Sequence, residues 1–526
     1  MDNPRMRRTL SAFGALAAVS LLLAGAPAGA QSVPLLTSPN VKLVANFPDT
    51  LSISGVFSRS APFYYTSGLD SINVFDISNP RLPVLKGTLP NLVFETEAIT
   101  YGERTTDGVT TRFVLVGADI FNVTPTQPAD RPPNFGGGEV YIVDVTNPML
   151  PRVRSAVSAP TSTHTVACAD AACSYAYTAG DNGAFTILDF TDLDLPVVLQ
   201  GKEEVPIPSA KGPFDAGHHW RFESNGVGWH TGGGGATAYD VRKPANPIPL
   251  ASTNELGITD FSNAEPWNNF ILHNSNQPNA AFFRPNAEPD VRNGNVLLVT
   301  EEDYANEGDE IECDLAGSFE AWHIPTLDAA AYRKANPGLE PGKGTIAPIG
   351  RINPVMVGSG IDSPVGGFCS APWFDYHQSG IIAQGYYQQG MRLIDVRQPR
   401  ELVQYGFFTT GASEVWDAYF VPEYGADGKA TGKGTNLVYT ADLIRGLDVL
   451  EVELPPDLTP NPVNGRGNAA PAPRPSSQPA PAPAPKPAPA PAPRPLPATG
   501  ADVGLLVGGL VAVGAAITLR RRRGLV

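Results

Sequence analysis

Between Ser38 and Leu454 apolar and polar positions alternate over short runs rich in β-branched residues, and Gly, Pro, Asn and Asp interrupt the pattern every few residues. No stretch keeps a long helical period, so the pattern predicts strands joined by tight turns and an all-β fold. Comparing the runs exposes one unit repeated along the chain. Its clearest copies are "INVFDISNPRLPVL" (Ile72 to Leu85), "EVYIVDVTNPMLPRV" (Glu139 to Val153) and "MRLIDVRQPRELV" (Met391 to Val403). Weaker copies start at Phe185, Ala236, Phe319 and Leu447, which makes seven. The acidic position of the unit is Asp76, Asp144, Asp189, Asp240, Asp395 and, less well matched, Glu451, with His323 in the fifth copy.

Each copy follows another short apolar run that ends in a turn, such as "VLVGAD" or "AYTAGDNG". A strand, a turn, a strand ending in Asp, a proline turn and a further strand form most of a four-stranded blade. Seven such units predict a single seven-bladed β-propeller. Two β-sandwiches would account for short strands but not for sevenfold self-similarity. The Asp has a local reason, because its carboxylate can accept backbone N–H groups of the turn that follows. The last copy runs straight into a proline-rich segment and lacks its outer strand. "SPNVKLVANFP", from Ser38 to Pro48, is the segment expected to supply it and close the ring.

The segments "EVYIVDVTNP" and "MRLIDVRQP" resemble the LVIVD repeat of bacterial extracellular β-propellers. The resemblance spans roughly Ser38 to Leu454. It implies a propeller outside the cell and implies little about chemistry.

The chain ends change the picture of where the domain works. Arg5, Arg7 and Arg8, an apolar run from Ala12 to Leu23 and the triplet Ala28-Gly29-Ala30 before Gln31 read as a secretory signal peptide over residues 1–30, cleaved between Ala30 and Gln31. Residues 31–454 would then be the propeller. Residues 455–495 are dominated by Pro and Ala and are expected to form a disordered, polyproline-like stalk, which at about 3.1 Å per residue reaches on the order of 120 Å. Residues 496–526 hold Leu496-Pro497-Ala498-Thr499-Gly500, an apolar span from Val503 to Leu519 and the basic Arg520 to Arg523. That order resembles an LPxTG sorting signal. The resemblance implies cleavage by a sortase between Thr499 and Gly500 and attachment of Thr499 to the peptidoglycan of a Gram-positive wall. The span is long enough for a transmembrane helix before cleavage, and the arginines would hold it on the cytoplasmic side.

The chain carries a formal charge of −15, and removing its two basic ends makes it more negative. Such acidity argues against nucleic acid and anionic lipid as partners. Four cysteines in an exported chain with no CxxC point to disulfides, here paired Cys168 with Cys173 and Cys313 with Cys369, two other connectivities remaining open.

HExxH, GxSxG, GxxxxGK[ST] and GxGxxG are all missing, which disfavours the common proteases, esterases and kinases. The remaining chemistry lies where several blades begin: His164, the pair His218-His219, His273 and His377, with Glu95, Glu97, Glu414 and Asp417 at comparable positions. First strands line a propeller's channel, so these side chains converge. His164, His219, His273 and His377 are candidate ligands of a transition metal, because imidazole suits such ions better than Ca²⁺, with Glu97 or Asp417 as acid or base. The bland reading is a polar channel whose groups satisfy one another and trapped water. A second cluster, Glu301, Glu302, Asp303, Glu307, Asp309, Glu310, Glu312 and Asp314, could hold Ca²⁺ but lacks EF-hand spacing and reads first as a solvated loop. The tryptophans Trp220, Trp229, Trp267, Trp322, Trp373 and Trp416 read as blade core before carbohydrate platform. The sequence therefore favours a wall-anchored binding or scaffold module with a protein or glycan partner. The alternative is a metal-dependent hydrolase, lyase or oxidoreductase with a histidine-lined channel.

Overall fold

In the repeats the acidic residue ends a strand and ties down the turn after it. Asp76, Asp144, Asp189, Asp240 and Asp395 each accept the backbone N–H two residues on, from Ser78, Thr146, Thr191, Arg242 and Arg397, at 2.8–3.0 Å. The computed structural model describes residues 35–68, 71–90, 97–119, 138–159, 163–180, 185–199, 217–258, 271–302, 317–339, 343–353 and 370–461. Within them the strands form seven antiparallel sheets, the blades of a β-propeller, over 54–90, 100–159, 165–199, 217–252, 271–352, 374–410 and 415–452. Among the described residues helix is limited to Ala329–Ala335, capped by Asp328, and a few short turns.

The alternation that marks the strands also builds the core. A strand buried on both faces presents apolar side chains to a blade on each side. An apolar cluster lies between each adjacent pair of blades, for example Trp229, Leu297 and Trp322 between the fourth and fifth. Tyr64 and Phe75 of the first blade pack on Tyr439 and Leu447 of the seventh, so the ring is closed. Further locks run from a second-strand tyrosine to a proline turn of the next blade: Tyr177 to Pro244 O and Tyr439 to Pro80 O.

Closure uses the N-terminus. Val41–Phe47 pairs antiparallel with the last strand, Gly446–Val452, from Val41 opposite Val452 to Phe47 opposite Leu447, and supplies the outer strand of the seventh blade. One element goes beyond expectation: Leu35–Thr37 adds a fifth strand to the sixth blade against Val403–Thr410. At the other end, residues 455–461 are docked on the propeller instead of opening the stalk. Leu458 N–H donates to Gln378 O, its side chain joins the core between the fifth and sixth blades, and Asn461 N–H donates to Arg292 O. Disulfide Cys168–Cys173 joins the end of the third blade's first strand to the turn after it. Cys313, Cys369, Trp267, the signal peptide, the remaining stalk and the sorting signal lie outside the described residues. No helix among the described residues is long and apolar enough to cross a membrane.

Candidate metal centre at one end of the channel

The first strand of each blade lies at one edge of its sheet, and neighbouring first strands touch around the axis from the sixth blade through the first to the fifth. Their N-terminal ends share one end of the channel. His164 stands just before Thr165–Cys168, His218 is near the start of Gly217–Phe222, His273 near the start of Ile271–Asn276, and Glu97 precedes Thr100–Thr106. Glu302 ends the second strand of the fifth blade, opposite Ile271, and so joins them.

Their donor atoms meet. His164 Nε2 lies 3.0 Å from His218 Nε2. Glu97 Oε2 lies 3.2, 3.4 and 3.3 Å from the Nε2 atoms of His164, His218 and His273. Glu302 Oε2 lies 3.4 Å from His273 Nε2 and 3.8 Å from His218 Nε2. Ligands bound at about 2.1 Å stand roughly 3.0 Å apart across a right angle and roughly 3.4 Å apart in a tetrahedron, so these separations match a coordination shell. Hydrogen bonding explains them less well. An imidazole has at most one Nε2–H, and that of His164 cannot serve His218 and Glu97 together. Glu97 Oε2 and His273 Nε2 are buried and make no hydrogen bond of good geometry. Glu97, His218 and His273 form the one group among the described residues whose acidic and imidazole donors converge as metal ligands would.

The electrostatics suit the same role. Burial alone would raise the Glu97 carboxyl, but the His164 charge and the three imidazole contacts hold it well below the usual carboxylate range. Burial pushes the His218 imidazole down to about 3, so it is neutral, the form that binds metal. Two carboxylates would balance the charge of a divalent ion. Trp373 closes one side, its ring 4.7 Å from that of His273 and 5.9 Å from that of His218. His164, with a side chain 24% exposed against 5% or less for the other members, faces the accessible side.

The structure places three of the expected site residues apart from the group: two expected ligands, His219 and His377, and Asp417, expected as acid or base. His218, not His219, joins the group. A β-bulge between Gly217 and His219 shifts the register there, and His219 stacks its edge on Trp373 at 4.7 Å. His377 is the last residue of Phe374–His377 and so sits at the opposite end of its strand, where Nδ1 meets Ser379 Oγ and Nε2 meets Gly434 O. Asp417 is buried apart from the group: its Oδ1 accepts Ala418 N–H, and burial pushes its carboxyl well above the usual range.

The acidic run is corrected as well. Glu301 and Glu302 are fully buried strand residues, not a solvated loop. Glu301 turns away from the channel to accept Ser318 Oγ–H at 2.7 Å, with Arg351 3.7 Å away. The rest of that run and Glu95 lie outside the described residues. Trp220, Trp229 and Trp322 are blade core. Glu302 carried no signal of its own beyond its place at the end of "LLVTEE".

No family model matches the chain, and no curated protein matches it. Among solved structures it is similar to the β-propeller domain of Cps50 (Swd1) from Myceliophteria thermophila, with TM-score 0.46 and 12% identity over 78% of this chain and 100% of that one. It is also similar to the WD40 repeats of RRP9, with TM-score 0.44 and 10% identity over 81% of this chain and 100% of that one. These are likenesses of fold.

Proposed function

We propose that this chain is a surface-displayed, metal-dependent propeller: His164, His218, His273 and Glu97 hold a first-row transition metal at one end of the channel, where it acts on a small molecule arriving from the His164 side. The observation that carries the reading is the meeting of three Nε2 atoms with Glu97 Oε2 at 3.0–3.4 Å inside a buried pocket. Mixed imidazole and carboxylate donors suit Zn²⁺, Fe²⁺, Mn²⁺ or Cu²⁺ and make a poor Ca²⁺ site. Such an ion would serve as a Lewis acid or redox centre, which supports an enzyme over a passive scaffold. A binding role at the rim keeps one observation in its favour: Leu82, Met149, Leu150 and Leu195 are 56–72% exposed on equivalent proline turns.

Elemental analysis of the purified protein is the test. One equivalent of a transition metal per chain is expected, lost in the His218→Ala/His273→Ala variant. A parent that stays metal-free after incubation with each candidate ion would sink the reading.

Display at the wall is a separate part of the proposal and rests on the LPATG segment, the apolar span and the arginine tail. Thr499→Ala is expected to move the protein from the covalent wall fraction to membrane or medium. Unchanged yield and mass after muralytic release would exclude sortase attachment.

A further inference from the structure

Glu302 is held by a residue of the neighbouring blade. Its Oε1 accepts the hydroxyl proton of Tyr387 at 2.5 Å, while Oε2 faces His273 and His218. Tyr387 belongs to the turn after the sixth blade's second strand, Ile381–Gly385, and is 2% exposed. Its backbone is bonded in both directions to Val415 of the seventh blade, at 2.8 and 3.0 Å, and its ring packs edge-on against Trp416 with centroids 5.1 Å apart.

The backbone geometry is unusual. Tyr387 has φ of 43°, a left-handed conformation that a bulky side chain seldom adopts. Gly390 closes the same turn at φ of 76°, where an added Cβ would lie 2.4 Å from Phe408 O. Strain of this kind persists where the surroundings over-determine it, and here it aims a buried hydroxyl at one carboxylate oxygen. Phenylalanine would fill the same space. The hydroxyl occupies Oε1.

We propose that Glu302 is a fifth metal ligand, monodentate through Oε2, and that Tyr387 is the residue that positions it. The inference rests on the metal reading above and deepens it. Three imidazole nitrogens and two carboxylate oxygens make a site for a divalent ion that accepts five-coordination, with room for one exogenous donor. A structural zinc site would instead close at four ligands. Occupying Oε1 also prevents Glu302 from chelating with both oxygens, which would fill that last position.

Cobalt substitution reads the coordination number directly. The full chain loaded with Co²⁺ is expected to show the weak d–d bands of an ion with five protein ligands, weaker still where water takes the open position. Glu302→Gln, whose amide is a poor ligand, should keep stoichiometric Co²⁺ but gain the more intense bands of an ion with one ligand fewer. Tyr387→Phe should stay folded by thermal melt, bind Co²⁺ about 10–100-fold more weakly and shift its spectrum toward that of Glu302→Gln. Intense tetrahedral bands in the parent, unchanged in both variants, would overturn the role of Glu302 while leaving the metal site standing. Failure of the parent to bind Co²⁺ or any other ion stoichiometrically would instead remove the metal reading itself.

Discussion

The two ends of the blades' first strands hold imidazoles with opposite surroundings. At one end His273 is fully buried, its Nδ1 and Nε2 lack hydrogen bonds, and two carboxylates approach Nε2. At the other, His377 is buried to a similar degree, yet Ser379 and Gly434 satisfy both nitrogens. Burial therefore does not separate a candidate ligand from a structural histidine. What separates them is whether the protein completes the polar atoms itself, since buried groups left without partners are rare and costly.

That contrast can be broken by substitution at each end. Free metal about a thousandfold above its Kd should stabilise the parent by about 4 kcal/mol. His273→Ala should abolish this increment in denaturant unfolding, and His377→Ala should retain it. An increment that survives His273→Ala would place the metal elsewhere. His377→Ala should lose about 1–3 kcal/mol whether or not metal is present, because it breaks a satisfied buried pair of hydrogen bonds. A metal-dependent loss there would erase the distinction between the two ends.

His230 is a third kind of buried imidazole. It is buried against Trp220 and Phe185, its Nε2 has no partner, and burial pushes its imidazole down to about 3. The folded state thus refuses a proton that the unfolded chain takes up near about 6.5. The sign follows: stability is full above about 6.5 and falls as pH drops toward about 3, by about 1.4 kcal/mol for each pH unit. His230→Phe should remove that slope and leave metal content unchanged. Equal slopes for parent and variant between about pH 6 and about pH 4 would show that His230 is not buried as a neutral ring.

The sequence determined the blades. The strand pattern, the Asp that accepts the next turn's N–H and the proline beyond it are local devices, so each copy announces itself, and the orphan strand before the first copy announces the latch. The placement of chemistry was legible in part, since His164, His273 and Glu97 precede or begin first strands and the strand order sends them to one axis. Tertiary structure decided the rest. Adjacent residues of a strand face opposite ways, so one bulge at Gly217 exchanges His219 for His218, and no local signal fixes that bulge. The pleat likewise parts Glu301 from Glu302, and only packing between the fifth and sixth blades brings Tyr387 to Glu302, 85 residues away in sequence. Convergence on the axis is a property of the closed ring, because the ligands come from four different blades, none of which can assemble the set by itself.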